Sequence, residues 1–568
     1  MDEEQQKTVQ NMKTVLVAIN AKYEHEGLAA WCLKAACDRR SIPVTVQQHA
    51  INDAYQKIWA AIMDAQPDVV AFSCYIWNRP MVEKLTSDIK KATPSVTVVI
   101  GGPETGYKGS EAEYKQFGAD YIMKGPGEAL FPDFLEALTK RDVEQLRKLE
   151  SGEVCREEDG YISPFSPEYL SRISGRIAYI ESSRGCPYHC SYCLSSESHG
   201  FFCYPVEEIK EDLADLVKAG ARVVKFVDSS FNANREHARA IWEYIREFRG
   251  LGTTFHFEIN PDTLSPDLIS LLAQMPRGLM QVEAGIQSTN PKTLNAVSRI
   301  MDVDKALENL RRIILTGNIH VHVDLIAGLP YEDLGTFKTS FNRVYDLKAH
   351  QLQLGFLKLL HGTRIRREAD KHGYRYRDYP PYEVIANQYM GPSELLVLKG
   401  IEELVDRFYN SGRFTLCLDY LIRCFDSAYD FYEKLALWEK EQGILYQSAS
   451  PANLYRQLMA FAQIMQLPIN QEAFATLMAL DYICSMRSTV LPDWLTGQSG
   501  LKLEDYRDYF PVSELEGVGK SEARKRFIVL EGMLPAKKGD DLIYLRNKIR
   551  IDTKQVDPVT GRAVPSFI

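Results

Sequence analysis

The sequence predicts an α/β chain in three parts: an N-terminal doubly wound parallel sheet over 1–150, a partial (β/α)6 barrel over 151–370 and a mainly helical C-terminal region over 371–568. Three observations predict it. Residues 13–140 alternate short apolar runs with segments of helical period, and residues 175–360 repeat that rhythm. Past "GYRYRDYPPYEV" the prolines end the rhythm and long helical stretches take over.

In the first part "KTVLVAI" (13–19) reads as a strand and "LAAWCLKAACDRR" as the helix after it. "PVTVQQH", "DVVAFS" (68–73), "VTVVIGG" (96–102) and "ADYIMKG" (119–125) supply further strands, with helices through Ile58 and Ile62, around 80–91 and from Glu128. Apolar strands without alternation are buried on both faces, as in a parallel sheet covered by helices. Ligands of such sheets bind outside the carboxyl ends of the strands. There the chain carries "NAKYEHEG" (20–27), "SCYIWN" (73–78) and "GGPETGY" (101–107). Gly101 and Gly102 allow close backbone approach, and Ser73 offers a hydroxyl. Plain turns are one reading of these loops and a nucleotide or flavin pocket another, although no G-x-G-x-x-G follows the first strand.

In the second part the strands are "RIAYIES" (176–182), "RVVKFVD" (222–228), "TTFHFEI" (253–259), "GLMQVEAG" (278–285), "HVHVDLIAG" (320–328) and "QLQLGFLK" (351–358). Helices fall between them at 205–219, 235–249, 265–274, 302–315 and 333–347. A barrel of this kind places its chemistry at the carboxyl ends of its strands. Directly after the first of them stands "SSRGCPYHCSYCLSS", with Cys186, Cys190 and Cys193.

A disulfide framework fits neither the length of 568 residues nor the acidic, polar start "MDEEQQKTVQNMK", which has no apolar signal region. No apolar run approaches the roughly 18–20 residues of a membrane span, so a reducing cytoplasm without membrane attachment is expected. A formal charge of -9 advertises no bulk nucleic-acid surface. Zinc would need a fourth ligand such as His189 or His199, and the gaps of three and two residues are not the paired two-residue gaps of zinc knuckles. Three thiolates can instead hold three corners of a [4Fe-4S] cube and leave the fourth iron open.

With C-x3-C-x2-C after the first barrel strand, the second part resembles the radical S-adenosylmethionine (SAM) superfamily. That resemblance implies Cys186, Cys190 and Cys193 on a [4Fe-4S] cluster whose open iron is chelated by SAM, and one-electron cleavage to methionine and a 5'-deoxyadenosyl radical. Tyr192 resembles the aromatic that brings its backbone to adenine. Asp228 and Ser230 in "FVDSSFNAN", Glu258 in "FEINPD", and Glu283 and Gln287 in "VEAGIQS" are implied around SAM, and Leu325 and Ile326 in "DLIAGLP" as an adenine platform. Asp228 and Ser230 read equally as helix caps.

The "SCY" and "GGPE" loops on the first sheet resemble the cobalamin-binding domain that precedes some radical SAM barrels. The resemblance implies cobalamin over the strand ends, near Tyr23, His25, Ser73, Tyr75, Gly101, Gly102, Pro103 and Glu104. In the best-known form D-x-H-x-x-G carries the cobalt ligand. Here Tyr23 stands in place of Asp and Gly27 comes two residues after His25, so the bound cobalt is expected to carry no histidine on its lower face.

Together the two domains imply methylation of an unactivated carbon or phosphorus of a small or medium-sized substrate, with an external one-electron reductant such as flavodoxin or ferredoxin. A radical cyclase, ring contraction or oxidoreductase activity is the alternative, and a cobalamin or iron–sulfur sensor a third reading. Methylthio transfer falls behind, since the expected N-terminal cluster domain and terminal RNA-binding barrel are absent from the sequence.

His320 and His322 alternate along one strand and could bind metal or pass protons, but no third ligand clusters with them in the sequence, so packed imidazoles are the reading. In the last part helices are expected at 391–409, 417–442, 451–466 and 471–487, then a terminal hairpin from "RKRFIVLEG" and "DLIYLRN". This part resembles the uncharacterised C-terminal region of one branch of cobalamin-type radical SAM proteins. Tyr374, Arg375, Tyr376, Arg377 and Tyr379 read as a polar linker or, alternatively, an edge for an anionic or ring-bearing substrate.

Overall fold

The computed structural model describes residues 9–151, 160–196, 200–497, 501–538 and 541–568, so His199 and the first eight residues lie outside it. Strands β1 (Thr14–Asn20), β2 (Val44–Ala50), β3 (Val69–Ser73), β4 (Thr97–Gly101) and β5 (Tyr121–Ile122) form a parallel sheet in the order β2-β1-β3-β4-β5. Thr14 stands opposite both Val44 and Val69, so the order reverses between β1 and β3. Such a switch point opens a crevice at the carboxyl ends. All of β1 is buried, which is why its residues show no apolar–polar alternation. On one face Val15, Val17, Val70, Phe72 and Val98 pack with Ile58, Ile62, Val82, Leu85 and Ile89 of the crossing helices.

The second sheet follows chain order: β6 (Ile177–Ile180), β9 (Val223–Phe226), β10 (Thr254–Ile259), β11 (Met280–Gln287), β12 (His320–Ala327) and β13 (Gln351–Phe356). The antiparallel pair β7 (Ser183–Gly185) and β8 (Phe201–Cys203) interrupts it after β6. Helices Val206–Lys218, Arg235–Ile245, Pro266–Ala273, Val303–Thr316 and Leu334–Tyr345 occupy the expected places. Burial alternates strictly along β10 and β11, so one face is packed by helices and the other carries the polar residues.

By compactness the chain divides into two units. The first comprises 1–282, 294–301 and 357–388, and the second 283–293, 302–356 and 389–568. The first unit ends in a small antiparallel pair, β14 (Arg375–Tyr376) and β15 (Val384–Ala386), so the tyrosine- and arginine-rich stretch is folded. In the second unit the stretch expected as one helix over 417–442 is two, Thr415–Ile422 and Ala428–Glu441. Ser427 caps the second of these through the Asp430 amide. Helices Pro392–Leu404, Pro451–Ile464 and Gln471–Met486 complete the mainly helical region. The expected terminal hairpin is larger: β16 (Lys502–Glu504), β17 (Phe527–Lys538), β18 (Asp541–Val556) and β19 (Ala563–Phe567) form one antiparallel sheet.

Candidate cofactor site

In the first unit the carboxyl ends of β1, β3 and β4 open into a cavity of about 1080 Å3. Ser73, Tyr75, Gly101 and Gly102 line one side, and Gly185, Leu194, Ser195, Val227 and Ser229 the other. The volume lies just above the range of about 300–1,000 Å3 usual for small-molecule pockets. One of its glycines is required by the backbone. Gly102 has φ +106°, and a side chain there would put its Cβ 2.6 Å from the Cys74 carbonyl oxygen. The fit to a large, flat, amide-rimmed group such as a corrin is good on these grounds: a wide cavity, side-chain-free backbone at Gly101 and Gly102 on its wall, and Tyr75 stacked on Trp77 at 4.4 Å.

Four of the residues expected at the cobalamin do not line that cavity. Pro103 is exposed, and the Glu104 carboxylate is buried, accepting from Arg79 (3.2 Å) and the Tyr382 hydroxyl (2.8 Å). Arg79 also donates to Tyr382 and pairs with Glu83 and Glu113, so this loop is clamped by an internal ion cluster. Tyr23 is exposed, its ring beneath the Arg176 guanidinium. Nδ1 of His25 lies 3.1 Å from the Tyr179 hydroxyl of β6, and burial lowers its pKa. We therefore expect His25→Ala to keep its full complement of cobalamin. The cob(II)alamin EPR spectrum should lack nitrogen superhyperfine splitting in both proteins, and a splitting that vanishes in the variant would refute this placement.

The cysteine loop lies in the same unit. Ser191 donates its N–H to the Val297 carbonyl (2.8 Å) and accepts from the Ile365 amide (2.9 Å), which fixes the middle of the motif. Burial pushes the Cys186 thiol pKa up, and the neighbouring Cys193 and Cys190 push it further. His189 is exposed. A single zinc ion would draw its sulfurs to within about 4 Å of one another at Zn–S distances of about 2.3 Å. Among the described residues only Glu283, His322 and Asp324 offer ligand atoms all within 4.8 Å. The three thiols are electrostatic neighbours but do not all come within 4.8 Å of one another, which fits a cluster in which each binds its own iron.

The carboxylates around the loop divide. Asp228 is buried and accepts from the Ser182 amide (3.0 Å) and the Ser182 and Ser183 hydroxyls (2.7 and 2.5 Å), so it braces the approach to Cys186. Ser230 is buried beside a 3-10 turn, and its neighbour Ser229 reaches the cavity and donates to the Ser195 hydroxyl at 2.9 Å. Glu258 sits on the polar face of β10, 3.8 Å from Lys225. Tyr192 has Arg299 and Cys190 as electrostatic neighbours. Arg299, unnoticed in the sequence, places Nη1 3.7 Å from the Cys190 sulfur. Arg184 is also new: it bridges Glu181 (3.1 Å) and Glu128 (2.9 Å) on the cavity wall. Its position two residues before Cys186 is the signal that could have found it.

In the second unit Gln287 has φ +69°, in the left-handed region, and its buried Oε1 has no hydrogen-bond partner. A strained backbone with an orphaned buried acceptor fits a ligand hydroxyl or amine at that atom. Ser288 donates to the buried carboxyl of Glu332 (2.5 Å), whose pKa burial pushes up to about 7, and so anchors the turn after Gln287. Leu325 and Ile326 cannot share a ligand face: Leu325 is fully buried on the helix side, and Ile326 lies on the other. Glu283 stands beside His322.

The B12 binding domain family matches residues 14–135, the radical SAM superfamily 180–344, and a protein family of unknown function, DUF4080, 370–514. A 2-(S-pantetheinyl)-carbapenam-3-carboxylate methyltransferase of Streptantibioticus cattleyicolor is 25% identical over 381 residues, covering 58% of this chain and 52% of that protein. The chain thus spans about half the length of the curated relatives it matches. Two solved structures share its fold. TsrM from Kitasatospora setae, a radical SAM methyltransferase with cobalamin and [4Fe-4S] bound, has a TM-score of 0.52 at 18% identity and covers 65% of this chain and 78% of its own. OxsB, a cobalamin-dependent SAM radical enzyme with aqua-cobalamin bound, has a TM-score of 0.55 at 12% identity and covers 80% of each chain.

Proposed function

We infer the function from one premise: the chain belongs to the cobalamin-binding radical SAM proteins, in a branch with a C-terminal DUF4080 region. The matched domains imply [4Fe-4S], SAM and cobalamin as cofactors. The function is cobalamin-dependent radical methylation of an unactivated carbon or phosphorus in a small or medium-sized substrate. The observation that carries this reading is the cavity of about 1080 Å3, which has the sheet ends of the B12-type domain on one side and the cysteine-loop side on the other. When bound, the cluster with SAM supplies one-electron chemistry and cobalamin carries a methyl group.

The chain's own residues hold and shield these groups. Cys186, Cys190 and Cys193 bind iron, with Arg299 donating towards the Cys190 sulfur, and Gln287 offers its amide oxygen to SAM. Ser73, Tyr75, Gly101 and Gly102 line the corrin side. The Arg184–Glu181–Glu128 bridges close part of the wall against water. Electrons come from an external donor of flavodoxin or ferredoxin type, which suits a reducing cytoplasm. Among the described residues no helix is long and apolar enough to cross a membrane.

The test is anaerobic incubation with methyl-labelled SAM, cobalamin, a reductant and fractionated metabolite extract, followed by mass spectrometry. Label in a product carbon or phosphorus, with 5'-deoxyadenosine and S-adenosylhomocysteine both formed, is the expected result. Substrate-dependent 5'-deoxyadenosine without labelled product or S-adenosylhomocysteine would overturn methylation in favour of a cyclase or rearrangement.

A further inference from the structure

The polar face of β11 and β12 gathers three side chains that the sequence scattered over forty positions. Glu283 alternates with the buried Ala284 and Ile286, and His322 and Asp324 alternate with Val321, Val323 and Leu325. All three therefore leave their strands on the side away from the packed helices. Nε2 of His322 stands 2.9 Å from Oδ1 of Asp324, and Nδ1 stands 3.9 Å from Oε2 of Glu283. Ligand atoms of the three all lie within 4.8 Å of one another.

We propose that Glu283, His322 and Asp324 form a binding site for a divalent cation of the zinc, manganese or iron(II) class. Three features carry it. First, the spacing suits one ion: ligand atoms at about 2.0–2.2 Å from a metal stand about 2.8–3.1 Å apart in octahedral and about 3.3–3.6 Å in tetrahedral arrangement, and one ligand atom from each residue already lies within 4.8 Å of the others. An imidazole binds one ion through one ring nitrogen, so Glu283 must turn towards the nitrogen that faces Asp324. Second, two carboxylates and a neutral imidazole match a charge of two, and this mixed oxygen–nitrogen set is one that such ions take. Third, the Asp324 Oδ1 is fully buried and receives no hydrogen bond, although an imidazole nitrogen is at contact distance. A buried carboxylate oxygen without a donor is costly, and a metal ion is one of the few partners that removes the cost. His322 is itself 9% exposed, so water does little of this work.

Three protein ligands leave coordination positions open for water or for an oxygen of a bound molecule. The site assigns Glu283 to the cation in place of SAM. It stands independently of the methylation reading, because its test needs no turnover.

The experiment uses the anaerobically reconstituted protein, freed of loose metal by a chelating resin and kept oxidised, titrated with Mn2+ while the EPR signal of free aquo-Mn2+ is followed. Wild type should bind one Mn2+ per chain. His322→Asn and Asp324→Asn should each weaken binding by at least about tenfold, the size of effect that even outer-shell changes reach at metal sites, with iron and cobalamin content unchanged. His320→Asn, two residues away on the same strand, should bind as wild type. Absence of a bound equivalent overturns the proposal. So does equal weakening by His320→Asn, or binding that His322→Asn leaves intact and Cys186→Ala abolishes.

Discussion

Replacing Cys186, Cys190 and Cys193 together by alanine should lower the iron content of the reconstituted protein from about four per chain to less than one, and abolish SAM cleavage. The loop's position explains why the loss should be selective. Its backbone is held by Ser191 against Val297 and Ile365, not by the sulfurs, so the loop keeps its course without them. The triple substitution leaves the five-stranded sheet untouched, so cobalamin binding is the internal control. A triple variant that keeps its cluster would refute the assignment. One that loses iron and cobalamin together would show a folding failure, in which case the serine variants, closer in size and polarity, decide the matter.

Gly102→Val should cost most of the bound cobalamin while sparing the iron. A φ of +106° is open to glycine and strained for valine, whose Cβ would meet the Cys74 carbonyl oxygen at 2.6 Å. At ψ -178° that backbone is essentially glycine-only, and a side chain there costs roughly 1–3 kcal/mol of strain. The contact adds to it, because that carbonyl already accepts the Glu104 amide and cannot retreat without disturbing the buried ion cluster. Relieving that contact must move the loop that lines the cavity, so corrinoid retained after gel filtration, read from its visible absorption, should fall well below wild type with iron per chain unchanged. Full corrinoid content in the variant would mean that the cavity over β3 and β4 is not where the cofactor lies.

The parts of this molecule that were legible in the sequence are those written in local patterns. Buried parallel strands such as "KTVLVAI" and "DVVAFS" announce themselves because both faces are apolar, and C-x3-C-x2-C is short enough to be read whole. Gly102 was legible for the same reason. What could not be read depends on partners far along the chain. Glu104 and Asp228 look like cofactor carboxylates, but one is used by Arg79 and Tyr382 and the other by Ser182 and Ser183. Leu325 and Ile326 looked like a joint platform, although adjacent residues of a strand face opposite ways. His322 reads as a packed imidazole because Glu283, which stands beside it, comes from the neighbouring strand far back in the sequence. The helix expected over 417–442 splits at Ser427, a capping residue type whose side chain serves the second helix.

The bond between Arg79 and Tyr382 also has a temporal meaning. Its partners are 303 residues apart. At a ribosomal pace of about 5–20 residues per second, the N-terminal arginine emerges roughly 15–60 s before the tyrosine that completes its surroundings. Throughout that interval Arg79 and Glu104 must stay hydrated or find other company. The chain also passes between its compact units at 282/283, 293/294, 301/302, 356/357 and 388/389, so neither unit can finish while the nascent chain is short. Truncation at 370, where the DUF4080 match begins, would remove Tyr382 and leave the newborn protein's provisional state as its permanent one.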